Sequence, residues 1–458
     1  MHIGIEDRGY HSLVRQLVAE GHKVTMYVPG IPYDLLWPWE GVTYATSRSD
    51  LVNAEPDFII SSDFPDGNVR AAALMAKIPV IGHDSSAIEL ELDRELAFSV
   101  IKSLGLPNII RVPDVEQFTN KADAINFLKH SKRSWVMKQH RDSPLDESDN
   151  RTVISKAKSK HAYAIQLLEA ESSPWFNGEV GGVRFEQFVE GVEVCWGSMF
   201  SHSSPTYPIY WCQEYKDAQN GGRSGVLTGE VGTILGVVPN NRSAVASVFE
   251  TLGMRLRGSG ILTTGMIDFN TIIDVKTGIM YFIEFTVRWG RPTLELQIAM
   301  SSPSKNMGRF LKNVAGGRGY HFPYHWKTGL GVTVYDYGLP FVLSAPGRKP
   351  IPFKPPVAKS PVPIPGERRS SGRDVVPLFA NCSNPKEWNS SASEGRHFVS
   401  VGLSSFGIDD SVKLEAVRDT LVSNAYGPLS GFNASGMTWR DDIGHNALDV
   451  IDAVRRVA

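Results

Sequence analysis

Apolar and polar positions alternate with two spacings along the first part of the chain. His2–Ile5 and Val24–Val28 are short apolar runs that read as strands. Between them, Ser12–Glu20 puts Leu13, Leu17 and Val18 on one helical face, and Gly21 stands where a helix C-terminus needs a residue without a side chain. Phe58–Ser61 and Pro79–Ile81 read as two more strands, separated by a helical Asn68–Lys77. Strand–helix–strand order of this kind predicts a parallel sheet with helices packed on its faces.

A helix is predicted over Ser86–Leu104, ended by Gly105 and Pro107. From Arg111 to Glu190 short strands, including Trp135–Lys138 and Gly182–Val189, alternate with helices. From Val192 to Arg288 strands dominate, broken by Gly-rich turns that are densest in Asn220–Gly236. Leu343–Asp374 is Pro-Lys-Arg-rich and can form neither helix nor central strand. It reads as an extended solvated loop within or beside a C-terminal domain. His397–Ser404 then reads as a strand, Asp410–Ser423 as a helix and Ile443–Val457 as a closing helix.

The 458 residues are too many for one hydrophobic core and imply about three or four domains. A formal net charge of −2 offers no field of one sign to hold nucleic acid or a membrane. Salt-sensitive DNA binding would be the observation that gives the basic loop such a use. The cysteines, Cys195, Cys212 and Cys382, lie far apart with no CxxC pair, which argues against a disulfide framework or a structural zinc site. No apolar run suits a signal peptide or a membrane span, so the expected compartment is the cytoplasm.

Candidate chemistry is spread over four segments. Lys138 ends the apolar run from Ser134, where a lysine can reach a phosphate as a point charge. Phe185–Glu193 is an apolar strand followed by a turn at Gly191, with carboxylates at Glu186, Glu190 and Glu193. Its backbone could read an adenine edge, and Glu193 could accept from both ribose hydroxyls. Lys216 offers a second cation, and the glycines of Gly225–Gly232 would let backbone N–H groups approach an anion. Asp268 and Glu284 are carboxylates on otherwise apolar strands, so burial demands a partner for each. Magnesium with phosphate oxygens, or an ion pair with an arginine such as Arg288, would satisfy them.

Taken in order, these segments resemble glycinamide ribonucleotide synthetase (phosphoribosylamine–glycine ligase), an ATP-grasp family. Ala87–Arg94 followed by Gly105-Leu-Pro is similar to the family's "LEGSK" helix and "GIP" turn, with Arg94 in place of its Lys. Trp135–Lys138 is similar to "IVIK", Phe185–Glu193 to the "IEEFLDGEE" adenine hinge, and Cys212–Lys216 to "SQDHK". Thr228–Gly232 is similar to the "TGGMG" reacting loop, Ile283–Pro292 to "IEFNxRFGDP", and Arg440–Gly444 to "RxDIG". There are also departures. Gln139–Asn150 replaces a Gly-rich phosphate flap, leaving Arg141 to compensate; Thr286 replaces a metal-binding Asn; Arg291 replaces an Asp; Thr293 replaces a Glu; and Glu230 replaces a Gly. Ile5–Ser12 stands where the family has "GNGGREHA".

The resemblance implies an α/β and α+β multidomain fold. Its parts would be a Rossmann-like N-terminal domain over 1–86, a two-lobed ATP-grasp unit over 87–325 (small lobe about 108–190, large lobe about 191–325) and a C-terminal α/β domain over 326–458 with its Pro-rich loop at 344–374. It implies ATP with magnesium or manganese, and small-molecule amine and carboxylic acid substrates, as in purine biosynthesis. The chain would act as a monomer or homodimer. Lys138, Glu186, Gln187, Phe188, Val189, Glu193 and Lys216 would hold ATP, with Glu284, Asp268 and Thr286 at the metal. Arg288, Lys216 and Glu230 would act in catalysis, and Thr228, Gly229, Arg288, Arg291 and Asp442 would bind substrate. The departures cluster at the substrate pockets, so two alternatives stay open: a ligase joining an amino acid to a different amine such as a modified nucleotide, and a non-catalytic nucleotide-binding descendant.

Overall fold

The structure, a computed structural model, describes residues 1–6, 11–29, 41–61, 68–139, 152–170, 174–176, 182–217, 227–238, 242–301, 306–318, 321–336, 352–353, 372–377, 381–384, 387–389, 396–408, 410, 413–434 and 437–458. Residues 7–10 of Ile5–Ser12, the segment after Gln139 with Arg141, and most of the Pro-rich loop lie outside these residues.

The N-terminal strands form a parallel sheet of five: the four predicted ones and, at its edge, Val42–Tyr44, a strand that the pattern did not show. They are β1 (His2–Glu6), β2 (Lys23–Tyr27), β3 (Val42–Tyr44), β4 (Phe58–Ser61) and β5 (Val80–Ile81), in the order β3-β2-β1-β4-β5. Helices α1 (His11–Ala19), α2 (Arg48–Asn53) and α3 (Asn68–Met75) connect them. Ile3, Ile5, Val24, Met26, Phe58 and Ile60 join Leu13, Val14 and Leu17 of α1 in one core. At the exit of β5 the chain passes so close to β4 that a Cβ on Gly82 would lie 2.0 Å from the Ser61 carbonyl oxygen. The Gly82 N–H donates to Thr264 O of the next sheet at 2.7 Å.

The single helix predicted over Ser86–Leu104 is two helices, α4 (Ser85–Leu92) and α5 (Arg94–Ser103). Asp93 separates them. Its backbone is extended (φ −107, ψ 101), and its carboxylate accepts from the N–H groups of Glu95 and Leu96. An aspartate here serves α5 as an N-cap better than it serves a helix interior. After β6 (Ile110–Arg111), strands β7 (Val115–Phe118), β8 (Trp135–Gln139), β9 (Thr152–Ser155) and β10 (Val183–Gln187) make a small antiparallel sheet in the order β7-β10-β8-β9. Helices α6 (Lys121–His130) and α7 (Ala162–Glu169) cover one face of it, burying Trp135, Met137 and Phe185 against Leu128 and Leu168.

The large sheet begins with β11 (Val192–Ser201), β12 (Ser204–Pro205), β13 (Tyr210–Asp217) and β14 (Leu227–Val237). After α8 (Ala244–Gly258) come β15 (Gly265–Ile273) and β16 (Met280–Thr286), then α9 (Thr293–Met300) and α10 (Met307–Ala315). The chain continues through β17 (Thr328–Asp336), β18 (Pro352–Phe353), β19 (Arg373–Pro377), β20 (Asn381–Asn384), β21 (Glu387–Asn389) and β22 (Arg396–Ser404). It closes with α11 (Leu414–Tyr426), β23 (Met437–Thr438) and α12 (Ala447–Arg455). The path is β19-β22-β17-β14-β13-β11-β15-β16-β6, so the sheet runs unbroken across residue 326. β18, β21 and β20 form a separate small sheet. On one face of the large sheet, Trp196, Trp211, Ile234 and Phe269 pack under α8, α11 and α12. On the other, Met199, Tyr210, Leu235 and Met266 meet the N-terminal unit, α9 and α10. Further along this second face the alternation delivers polar side chains instead.

Candidate active site

The small sheet supplies the first group. Its register pairs Lys138 with Arg184 and Val136 with Glu186. The period of two turns these side chains away from Met137 and Phe185, which lie in the helix-covered core. Lys138 Nζ lies 3.0 Å from Glu186 Oε2, and Arg184 Nε lies 2.9 Å from Glu186 Oε1. Arg184 also pairs with Glu95 of α5 and stacks 4.2 Å from the centre of the Phe98 ring. Lys138, Arg184 and Glu186 are all buried. Burial alone would raise the Glu186 carboxyl, but Lys138, Arg94 and Arg184 outweigh it and hold the group below its ordinary value. Thus Glu186 of the expected adenine segment already serves an ion-pair network. In the same segment the Gln187 N–H donates to Asp114 O at 2.8 Å and the Phe188 N–H to Ser134 O at 3.0 Å; Val189 follows, half-buried. Gly191 then crosses to the large sheet, where a Cβ would lie 2.2 Å from Ile273 O.

The large sheet supplies the second group. Cys195 of β11 stands opposite Cys212 on β13 and Asn270 on β15, and Asn270 stands opposite Glu284 on β16. One step along, Gly197 faces Tyr210 and Asp268, and Asp268 faces Thr286. The polar members of these rows share one face with Glu193, Glu214 and Lys216. Lys216 Nζ lies 2.9 Å from Glu214 Oε2 and 3.8 Å from Glu193 Oε1. Arg94 Nη1 lies 3.5 Å from Glu284 Oε2, and Asn270 Nδ2 lies 3.5 Å from Glu284 Oε1.

Electrostatics tie the two groups together. Burial pushes the Glu284 carboxyl up, yet the charges of Lys138, Arg94 and Lys216 hold it down to about 2. Lys138 comes from the small sheet, Arg94 from α5 and Lys216 from β13, so three elements converge on one carboxylate. Glu214 keeps the Lys216 ammonium well above its ordinary value. Burial raises Glu193, with Lys216 opposing the shift. Asp268 is pushed well up by burial, with Tyr210 opposing and Glu214 adding to the shift. Its Oδ1 and the Tyr210 hydroxyl, both buried, face each other over Gly197 without a hydrogen bond of good geometry.

Four residues that sequence reasoning gave no role complete the cleft: Arg94, Glu91, Glu214 and Asn270. Glu91 of α4 accepts from the Val287 N–H at 2.8 Å and from Arg288 Nε at 3.1 Å. A signal for Asn270 was present in the alternation of Gly265–Ile273, where it shares the parity of Asp268. Glu230 is buried on β14, and Thr228 and Gly229 lie at the start of that strand. Arg291 is half-buried just before α9. Asp442 is not brought to this cluster. It holds Arg440 through two bonds, 2.8 and 2.7 Å, and Arg440 stacks on Tyr215. Tyr215 points to the opposite face from Glu214 and Lys216.

Glu284, Asn270, Thr286 and Asp268 offer only oxygen as metal ligands, from one face, with Glu284 ionised and Asp268 Oδ1 orphaned. That donor chemistry fits magnesium or manganese.

No family model matches the chain. It is 27% identical over 283 residues to phosphoribosylamine–glycine ligase of Lactococcus lactis, a match covering 59% of this chain and 61% of that enzyme. The match thus spans less than two thirds of that enzyme's length. The structure of phosphoribosylamine–glycine ligase from Thermotoga maritima superposes with a TM-score of 0.66 at 17% identity, covering 97% of this chain and 100% of that one. The biotin carboxylase domain of Hydrogenobacter thermophilus 2-oxoglutarate carboxylase, in complex with MgADP, ADP and bicarbonate, superposes with a TM-score of 0.59 at 12% identity, covering 99% and 95%. Cleft, sheets and likeness agree: the chain folds on the plan of phosphoribosylamine–glycine ligase and is similar to that enzyme in sequence along 59% of its length.

Proposed function

We propose that this chain is an ATP-dependent carboxylate–amine ligase that forms an acyl phosphate and releases ADP. The convergence of Lys138, Arg94 and Lys216 on Glu284 carries this reading. In it, adenine lies along Glu186–Val189. The Gln187 and Phe188 N–H groups are already engaged, so Val189 and the segment's carbonyls meet the base, and Glu193 meets the ribose. Glu284 is the principal ligand of magnesium, with Asn270, Thr286 and Asp268 beside it. When bound, that ion neutralises phosphate charge. Lys138 and Lys216 offset charge developing on the transferred phosphoryl group. Arg288, oriented by Glu91, faces the acyl phosphate. Glu230, Thr228, Gly229 and Arg291 border the substrates, and Asp442 supports them from across the sheet by holding Arg440.

The pair named by the relatives, glycine and phosphoribosylamine, is the first to assay, and a different amine is the alternative. No helix among the described residues is long and apolar enough to cross a membrane, and the reaction proposed is cytoplasmic. The test is ADP formation with each common amino acid, with and without phosphoribosylamine. Glu284→Ala should reduce amine-dependent ADP release by roughly 10²-fold or more. Full activity in that variant would refute the metal assignment, and no turnover with any pair would leave a nucleotide-binding protein.

A further inference from the structure

Cys195 lies on β11 and Cys212 on β13, and the antiparallel register of these two neighbouring strands brings them face to face. Both are buried free thiols. Glu214 follows Cys212 on the same face, and the two Sγ atoms and a Glu214 carboxylate oxygen all lie within 4.8 Å of one another. The Thr293 hydroxyl approaches Cys212 Sγ at 3.9 Å.

A second observation points to a ligand here. Asp268 is only 3% exposed, and its Oδ1 has the Tyr210 hydroxyl as neighbour but no hydrogen bond of good geometry. Gly197 makes the room: a Cβ there would lie 2.2 Å from that oxygen and 2.3 Å from the Tyr210 hydroxyl. The contact with Cys212 and burial push the Cys195 thiol well up, while for Cys212 the contact with Cys195 lowers it and burial and the nearby Glu214 raise it, to about 11. Two thiols and two carboxylates therefore lie close together on one face of the sheet, with Lys216 paired to Glu214.

We propose that Cys195, Cys212 and Glu214 bind a thiophilic divalent cation of the zinc class, with Asp268 as the acidic neighbour on the remaining side. Sulfur donors distinguish this site from the all-oxygen set around Glu284 and select against magnesium. Binding converts both thiols to thiolates and releases their protons to solvent. The proposal does not rest on the ligase reading, because metal binding is measured without turnover.

The probe is cobalt(II), added to the reduced full-length chain. About one equivalent should bind with a sulfur-to-cobalt charge-transfer band, and zinc should displace it. Cys195→Ser and Cys212→Ser should each abolish the band. Glu214→Gln should weaken binding at least about tenfold, the scale on which even supporting residues act. Cys382→Ser should keep the band. Absence of the band in the unaltered protein, or its loss only in Cys382→Ser, would overturn the proposal. X-ray absorption of the zinc-loaded unaltered chain guards against variants that fail to fold: two sulfur neighbours support the site, and none refutes it. A Cys195–Cys212 disulfide persisting in reducing buffer would also refute it.

Discussion

Glu284 keeps its charge in surroundings that would neutralise a lone carboxyl, and the reason is the number of cations aimed at it. Arg94 is the most direct, at 3.5 Å. Arg94→Met should therefore weaken binding of magnesium–ATP by about tenfold, roughly 1.4 kcal/mol, read by calorimetry. Lys138 differs, because its Nζ is matched to Glu186 in a buried pair. Lys138→Met removes one of the two cations bonded to Glu186 while Arg184 stays, so it should lower unfolding stability by about 2 kcal/mol in urea titration. Lys138 and Glu284 were legible because each interrupts an apolar run. Arg94 and Glu91 were not assigned roles because charges on an amphipathic helix read as a solvated face, and only the tertiary fold shows them turned inward. Asp268 drew attention from Asn270, although register puts Asn270 opposite Glu284.

At the scale of elements, the break at Asp93 decides where Arg94 points. A continuous helix would carry residue 94 onward by another helical step, whereas the cap starts α5 afresh with Arg94 as its first residue. Asp93→Ala should cost about 1 kcal/mol of stability, measured by chemical denaturation, and should also weaken nucleotide binding. Strands β1, β2, β4 and β5 and helices α1 and α3 were readable because each is a short local pattern, and Gly21, at positive φ, closes α1; β3 and α2 were not read. Helix α8 was not, since its Val, Thr and Gly residues resemble the strands around it. The sharing of one sheet by residues before and after 326 was hidden too, because strand pairing over such separations leaves no local trace.

At the scale of the whole molecule, His83 marks the seam between the N-terminal unit and the large sheet. It is buried, it contacts Met266 O at 2.7 Å, and burial depresses its pKa to about 4. The folded value lies below the unfolded one, so this contribution is complete above pH 6.5 and is lost as pH falls toward 4. By pH 5 it should be reduced by roughly 2 kcal/mol. Comparing melts of the protein and His83→Gln across that range isolates the effect, since the Gln variant should lack it. The unbroken sheet makes a second prediction. A chain ending at residue 325 would expose the β14 edge that β17 covers, and it should be recovered mostly in the insoluble fraction. Arg184 has a consequence of another kind. It grips Glu95 and Phe98 of α5 from the small sheet, while Arg94 at the head of that helix touches Glu284. The roof of the cleft and one of the fingers on its central acid are therefore bolted to the same beam. Any swing wide enough to admit a nucleotide must either shear that bolt or lift the finger with it.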